Sequence, residues 1–398
     1  MRILSFTTLY PNATQPSHGV FVENRLRHLA VTPGVDLRVV APVPWFPTSA
    51  AWAGRYAAYA RVPAAEQRHG LSIIHPRFPL LPKLGMTVAP WLLAGWTAAA
   101  VRKIRDSGFD FDLIDAHYFY PDGVAAVALG RLLGKPVVIT GRGTDLNDIP
   151  RFALPRAQIR WAARNAAGLI TVSDALRQPL IDLGIAPEKI VALRNGVDLD
   201  TFRPPVDVGA RAALRERYGL SRFTLASVGH LIERKGHHLV IAALAHFPDI
   251  QLLIAGEGPE GPALMDLATR LGVSDRVQFL GLMPHARLCE VYGAADALVL
   301  ASSREGWANV LLEAMACGTP VVATPVWGAP ELVRTAEAGV LSSERSADAI
   351  ASAIGALRKH LPERDSTRRY AERFGWQETT DGQLRLFEQI LSGARRDR

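Results

Sequence analysis

The sequence predicts an α/β protein built from two Rossmann-like, doubly wound parallel sheets in tandem. Strand-like and helix-like stretches alternate along the whole chain, and 398 residues exceed one ordinary core. A Pro-rich passage, TFRPPVDVG at 201–209, separates two runs of the same alternation and reads as a linker.

In the first run, buried-strand patterns fall at 2–6, 37–41, 72–76, 113–116, 136–140, 168–172 and 190–193. Helical periodicity lies between them at 21–30, 89–105, 123–133, 157–166 and 175–183. The second run has strands at 223–228, 251–255, 277–280, 297–300, 320–323 and 339–341. Its helices are expected at 237–245, 262–271, 286–294, 309–316 and 347–358. The expected domains are therefore 1–200 and 201–375. An amphipathic helix around 377–391, within the tail 376–398, is expected to pack back on the first. A ligand cleft is expected where strand C-termini face each other.

Hydrophobic residues make up 48% and charged residues 21%, which describes a globular chain and excludes extensive disorder. The formal charge of +7 is uneven. Residues 1–200 hold 22 Lys+Arg against 15 Asp+Glu, whereas residues 201–398 hold 23 against 23. A basic first half suits an anionic partner such as a phospholipid surface, a phosphorylated acceptor or nucleic acid, and it also suits plain solubility. The basic residues are scattered, without an RNP, helix-turn-helix or zinc signature, so no nucleic-acid partner is expected.

Cys289 and Cys317 lie in helical stretches without CxxC spacing and read as apolar core residues of a reduced compartment. The N-terminus, MRILSFTTLYP, turns polar too soon for a signal peptide and reads as a buried strand. The apolar run 87–101 contains Pro90, is too short for a span and ends in Arg102, Lys103 and Arg105. With Trp91 and Trp96 it suits either a core helix or a segment lying on a membrane. No GxxxxGK[ST] occurs, and GEGPEG at 256–261 follows a later strand, where a tight turn explains it.

The most informative stretch is SREGWANVLLEAMACGTPVVAT, 303–324. It places Glu305 in a Gly-bearing loop, opens an apolar helix near Asn309 and sets Glu313 one turn into it. Asn309 and Glu313, four apart, share a helix face. Gly318 stands where a helix end favours a left-handed residue. Two carboxylates bracketing a helix N-terminus suit a solvated first turn with a capping box. They also suit a ligand with an anionic middle and hydroxylated ends, because free amides and the positive dipole end favour a diphosphate. Glu313 lies inside LLEAMA, where an unpaired charge is costly, and that favours the ligand.

Other candidates sit at strand ends, where open α/β sheets bind ligands. GHLIERKG puts Arg234 and Lys235 before a helix, a pair that suits a diphosphate. DAHYFYPDG puts His117 at a strand end. GRGTD offers glycines for close backbone approach and Asp145 to orient an acceptor hydroxyl. SHGVFVENRL has Gly19 in a loop before a helix, a second possible cradle for phosphate or sugar. Ser173 and Asn195 also end strands.

With these residues in view, the chain resembles the retaining GT-B glycosyltransferases of family 4, the glycosyl transferases group 1 superfamily. The resemblance is most specific over 225–335, where EGWANVLLE matches the family's E-x7-E element, followed by AMACGTPVVAT and GAPELV. It implies that Glu305 contacts the transferred sugar and supports charge at its anomeric carbon. Glu313 would hold ribose hydroxyls, and amides near Asn309 and Val310 would hold phosphate. Lys235 falls on the phosphate-binding Lys, His117 on the His near the donor sugar, and Gly19 on the N-terminal phosphate loop. His230 stands where the family usually has Arg, so either Arg234 makes the second phosphate contact or His230 makes donor binding pH-sensitive; Arg234 is the favoured reading.

The resemblance further implies hexosyl transfer with retention from a nucleotide-diphosphate sugar, the leaving phosphate taking the acceptor's proton. Arg234 and Lys235 would do what a divalent metal does in other transferases, and no His/Asp/Glu cluster has metal-ligand spacing, so no metal and no cofactor are expected. The expected acceptor is a glycan or polyprenyl-linked precursor of surface or exopolysaccharide, met at the inner face of the cytoplasmic membrane. A nucleotide-sugar epimerase on the same fold is the competing enzyme reading. Nucleotide and sugar choice would depend on loops such as 42–83.

Overall fold

The computed structural model describes residues 1–50, 52, 56–80 and 85–396. It divides into two compact units, Met1–Asn195 with Gln377–Arg398, and Gly196–Trp376. Lys83, which bounds the loop expected to carry specificity, lies outside the described residues.

The first unit is an eight-stranded sheet. From edge to edge its strands are Ile190–Ala192, Gly168–Thr171, Val137–Gly141, Leu113–His117, Arg2–Phe6, Asp36–Val40, Leu71–Ile74 and Ala65–Arg68. All neighbours are parallel except the last pair, a hairpin. Strands 113–117, 137–141 and 168–171 are buried at every residue, as a sheet covered on both faces requires. The helix Trp376–Arg396 belongs here in part by its core: Phe387 packs with Ile3, Leu113, Val138 and Ile170. Gln383 of that helix is fully buried. It accepts from Arg25 Nε at 2.8 Å and donates to Asp115 Oδ2 at 2.8 Å.

The second unit is a six-stranded, wholly parallel sheet in the order Val277–Gly281, Ile250–Ala255, Phe223–Val228, Ala297–Leu300, Val321–Ala323 and Gly339–Leu341. Its core joins Leu225, Leu252, Ile254 and Val299 to the helices His237–Leu244 and Ala347–Lys359. The linker reading of 201–209 missed a helix that opens inside it. Asp207 caps this helix, Val208–Arg217, by accepting from Ala210 N at 2.7 Å. The helix has no buried residue and therefore no apolar stripe to read; Arg211 and Arg215 tie it to Asp296 at 2.6 and 3.1 Å.

Strand order locates the ligand ends. In the second sheet the winding reverses between Phe223–Val228 and Ala297–Leu300, and in the first between Arg2–Phe6 and Leu113–His117. A crevice opens at such a reversal, beyond the strand C-termini.

Candidate functional site

At the reversal in the second unit, two loops converge. After strand 223–228 the chain turns through Gly229 and a short 3-10 turn, Glu233–Lys235, to Gly236. Gly236 has φ of 72°, and a Cβ there would lie 2.0 Å from the Ala301 carbonyl oxygen, so the loop after strand 297–300 can come close only to glycine. The GEG turn is used in the same way: a Cβ on Gly256 would meet Gly229 O at 1.9 Å. It is a packing turn between neighbouring strands.

This approach brings Lys235 to Glu305. Lys235 Nζ lies 2.6 Å from Glu305 Oε1, Ser302 Oγ donates to the same oxygen at 2.7 Å, and Arg234 Nη1 stands 4.0 Å from Oε2. Arg234 also donates to the Arg304 carbonyl at 3.0 Å. Glu305 is buried, which alone raises its pKa. The charge and hydrogen bond of Lys235, then Ser302 and Arg234, outweigh burial and hold the carboxyl below its ordinary value. Glu305 is therefore a carboxylate at neutral pH, inside a cationic cluster.

The helix Asn309–Ala316 begins four residues later and has no side-chain cap. Asn309 and Val310 occupy its first positions and are half-buried. Glu313 is 6% exposed and held from two sides, accepting from His285 Nε2 at 2.8 Å and Tyr292 OH at 3.0 Å. Phe202 backs both partners, 5.1 Å from the His285 ring and 6.1 Å from Tyr292. Burial works against the His285 charge, but Glu313 outweighs it and raises the imidazole pKa. Neither His285 nor Tyr292 was singled out from the sequence; the signal available was His285 in a loop just beyond a strand end. His230 is exposed, one residue from Gly229.

At the reversal in the first unit, Gly19 caps the helix Val20–Ala30 with φ of 72°. A Cβ there would sit 2.3 Å from Leu9 O, so Gly19 serves close packing of two loops as well as a helix start. His117 is fully buried: Arg142 donates to Nδ1 at 2.8 Å, and Asp115 Oδ2 lies 3.3 Å from Nε2. Burial pushes its pKa down, so the ring is neutral, and donation to Nδ1 puts the proton on Nε2.

Asp145 departs from its expected role. It is fully buried, and its oxygens accept from the amides of Phe119 at 2.7 Å, Arg142 at 3.0 Å and Gly143 at 2.7 Å. A carboxylate committed to three amides shapes the loop beneath a site and has no exposed face to offer a hydroxyl. Asp122, passed over in the sequence, is buried on Thr7 and Thr8: Thr8 N donates at 2.6 Å, Thr8 Oγ1 at 2.9 Å and Thr7 Oγ1 at 3.2 Å. Burial carries its pKa up to about 7. Among the described residues, no group of three His, Cys, Asp or Glu could hold a metal ion.

Comparison with known proteins bears on family and fold. Residues 20–201 match Glycosyltransferase Family 4, and residues 212–374 match Glycosyl transferases group 1. The D-inositol 3-phosphate glycosyltransferase of Mycobacteroides abscessus is 32% identical over 327 residues, covering 77% of this chain and 72% of that protein. The protein of the same name from Saccharomonospora viridis is 32% identical over 369 residues, covering 84% and 83%. Among solved structures, sucrose-phosphate synthase of Thermosynechococcus elongatus superimposes with a TM-score of 0.78 at 21% identity, covering 98% of this chain and 99% of that one. Anabaena HepE in complex with UDP gives 0.70 at 22%, covering 99% and 100%. Both sheets, with their loops at the strand C-termini, thus follow the GT-B fold, and the chain belongs to glycosyltransferase family 4, enzymes that move a sugar from a nucleotide-sugar donor.

Proposed function

We propose that this protein is a retaining, metal-independent hexosyltransferase that takes a UDP-sugar and glycosylates a glycan or polyprenyl-linked acceptor at the cytoplasmic face of a membrane. The observation that carries the reading is the Lys235–Glu305 contact of 2.6 Å at the sheet reversal, with Arg234 beside it. Diphosphate oxygens would draw on Lys235, Arg234 and the amides of Asn309 and Val310, and these same groups would stabilise the charge that leaves with UDP. Glu305, already ionised, would face the positive charge that grows at the anomeric carbon as the glycosidic bond to phosphate breaks. The acceptor hydroxyl would attack from the face the diphosphate leaves, and its proton would pass to the departing phosphate oxygen.

Glu313 would accept ribose hydroxyls on the lone pairs that His285 and Tyr292 leave open. In the first unit, Gly19 and His117 would meet the donor's phosphate and sugar, and the loop that Asp145 holds would form part of the acceptor side. The UDP choice draws on HepE, whose structures were solved with UDP and with UDP-glucose. The polysaccharide part rests on the family resemblance, and the peripheral-membrane part on the Trp-bearing basic segment 91–105 in the basic first half.

Thermal protection by a panel of UDP-, GDP- and ADP-sugars tests the donor; protection by a GDP- or ADP-sugar alone would overturn UDP. Proton NMR of the product's anomeric coupling tests retention, and an assay in EDTA tests metal independence. The curated relatives, named for D-inositol 3-phosphate, favour a second acceptor reading, a phosphorylated polyol. Incubation with inositol 3-phosphate in place of a lipid-linked acceptor separates the two.

A further inference from the structure

Three neighbouring helices of the first unit, Gly85–Asp106, Val124–Leu133 and Ala153–Asn165, carry most of the chain's positive excess. Together they hold seven Arg and Lys against one acid, Asp106. Helix 153–165 touches the first turns of helix 85–106. Gln158 Nε2 donates to Thr87 O at 3.0 Å, and the Trp91 and Trp161 rings meet at 5.4 Å.

On the outer face of helix 153–165, Arg156, Arg160 and Arg164 recur every fourth residue and so form one stripe. They line a surface hollow of about 920 Å³ with Trp161 and Gly184. Two of the guanidiniums converge: Arg160 Nη2 and Arg164 Nη2 each lie 3.7 Å from where a Gly184 Cβ would stand. None of the three guanidiniums has a protein partner among the described residues, although Asp182 lines the same hollow; that carboxylate is tied to Gln178 at 2.7 Å. Near the stripe, Phe152 is 51% and Leu154 49% exposed, and Trp91, whose ring meets Trp161, is 46% exposed. Arg131 lies over the Trp161 ring at 5.9 Å.

Guanidiniums left without carboxylates, beside aromatic and aliphatic side chains left in water, are complementary to a surface of phosphates above hydrocarbon. We propose that this face docks the enzyme on an anionic phospholipid surface. Lipid phosphates enter the hollow under Arg156, Arg160 and Arg164, while Phe152, Leu154 and Trp91 sink to the headgroup boundary. The docking element is thus helix 153–165, with Arg102, Lys103 and Arg105 of the neighbouring helix adding only diffuse attraction. Among the described residues no helix is long and apolar enough to cross a membrane, so the contact is one of lying on the surface. The inference rests on the membrane part of the proposed function, to which it assigns a surface, and is independent of the donor part.

The test is co-sedimentation of the full chain with phosphatidylcholine vesicles and with vesicles of equal parts phosphatidylcholine and phosphatidylglycerol. Expected is recovery with the anionic vesicles, lost in high salt. The triple variant Arg156→Glu, Arg160→Glu, Arg164→Glu should weaken partitioning roughly a hundredfold or more, from about 1 kcal/mol per basic residue at such a surface. The triple Lys variant should bind as wild type, and Arg102→Glu, Lys103→Glu should cost only a few-fold. Protection by UDP-sugar, measured alongside, should match wild type in every variant; this shows that each is folded and keeps the donor reading separate. Equal recovery on neutral and anionic vesicles, or a Glu triple that sediments like wild type, overturns the proposal. So does tighter retention on single-stranded nucleic acid than on vesicles, or release from vesicles by soluble glycerol phosphate at concentrations too low to screen charge.

Discussion

Lys235 Nζ and Glu305 Oε1, seventy residues apart in sequence, stand 2.6 Å apart at the reversal of the second sheet. The contact gives the buried Glu305 carboxyl a reason to be charged. Glu305 is held ionised by Lys235, and in the proposed function a diphosphate would draw on the same Lys235. For Glu305→Gln, which preserves shape and the Ser302 hydrogen bond but removes charge, kcat should fall by about 10²–10³-fold. Donor affinity should change only a few-fold. Steady-state kinetics checks this, and a variant that turns over like wild type removes Glu305 from the chemistry.

Glu313 answers to a different readout. Glu313→Gln should raise donor KM by roughly tenfold with little change in kcat, the pattern of lost uniform binding. It should also lower the His285 pKa, since Glu313 is what raises it. Because the folded value lies above the ordinary 6.5, the His285–Glu313 pair adds stability that is full below that value and fades as pH rises through the raised one. Histidine NMR titration of wild type and variant measures the difference; an unmoved His285 would contradict the pairing.

Asp122 gives a pH signature of stability. Its folded pKa is about 7 against an ordinary 3.8, so folding favours the protonated acid. That contribution is complete below 3.8 and is lost as pH rises through about 7. Asp122→Asn lacks this titration. Its melting temperature relative to wild type should therefore improve steadily from acid to neutral pH, and a difference independent of pH would refute the assignment.

The C-terminal helix can be tested through Gln383, which bridges Arg25 to Asp115 in a fully buried setting. Gln383→Leu leaves both charges without that partner and should cost roughly 3–5 kcal/mol, the scale for breaking a buried ionic network. Urea unfolding followed by tryptophan fluorescence measures it. An unchanged midpoint would show that Phe387 packing alone secures the helix.

Much of this was legible in sequence. Apolar runs such as Val137–Gly141 announce a doubly covered sheet because every residue is buried, and 303–324 announces its own loop, helix and glycine end. Helix 208–217 was not legible, because polar ties to Asp296 hold it where an apolar stripe would otherwise mark it. The site divides the same way. Glu305, Lys235 and Arg234 come together because loops after neighbouring strand ends converge where the strand order reverses, a rule that works without coordinates. The rule cannot tell a side chain that faces solvent from one turned inward, and Asp145 turned inward onto three amides. His285 and Tyr292 escaped because their task is to hold Glu313, a contact made across 28 and 21 residues with no local pattern.

Calorimetric titration of UDP into wild type, Lys235→Ala and Glu305→Gln addresses the diphosphate grip most directly. The expected result is UDP affinity reduced about a hundredfold in Lys235→Ala, the scale of one charge-assisted contact of up to 3 kcal/mol, and nearly unchanged in Glu305→Gln. Wild-type UDP affinity in Lys235→Ala would contradict the account, because the diphosphate would then be held somewhere other than beside Glu305.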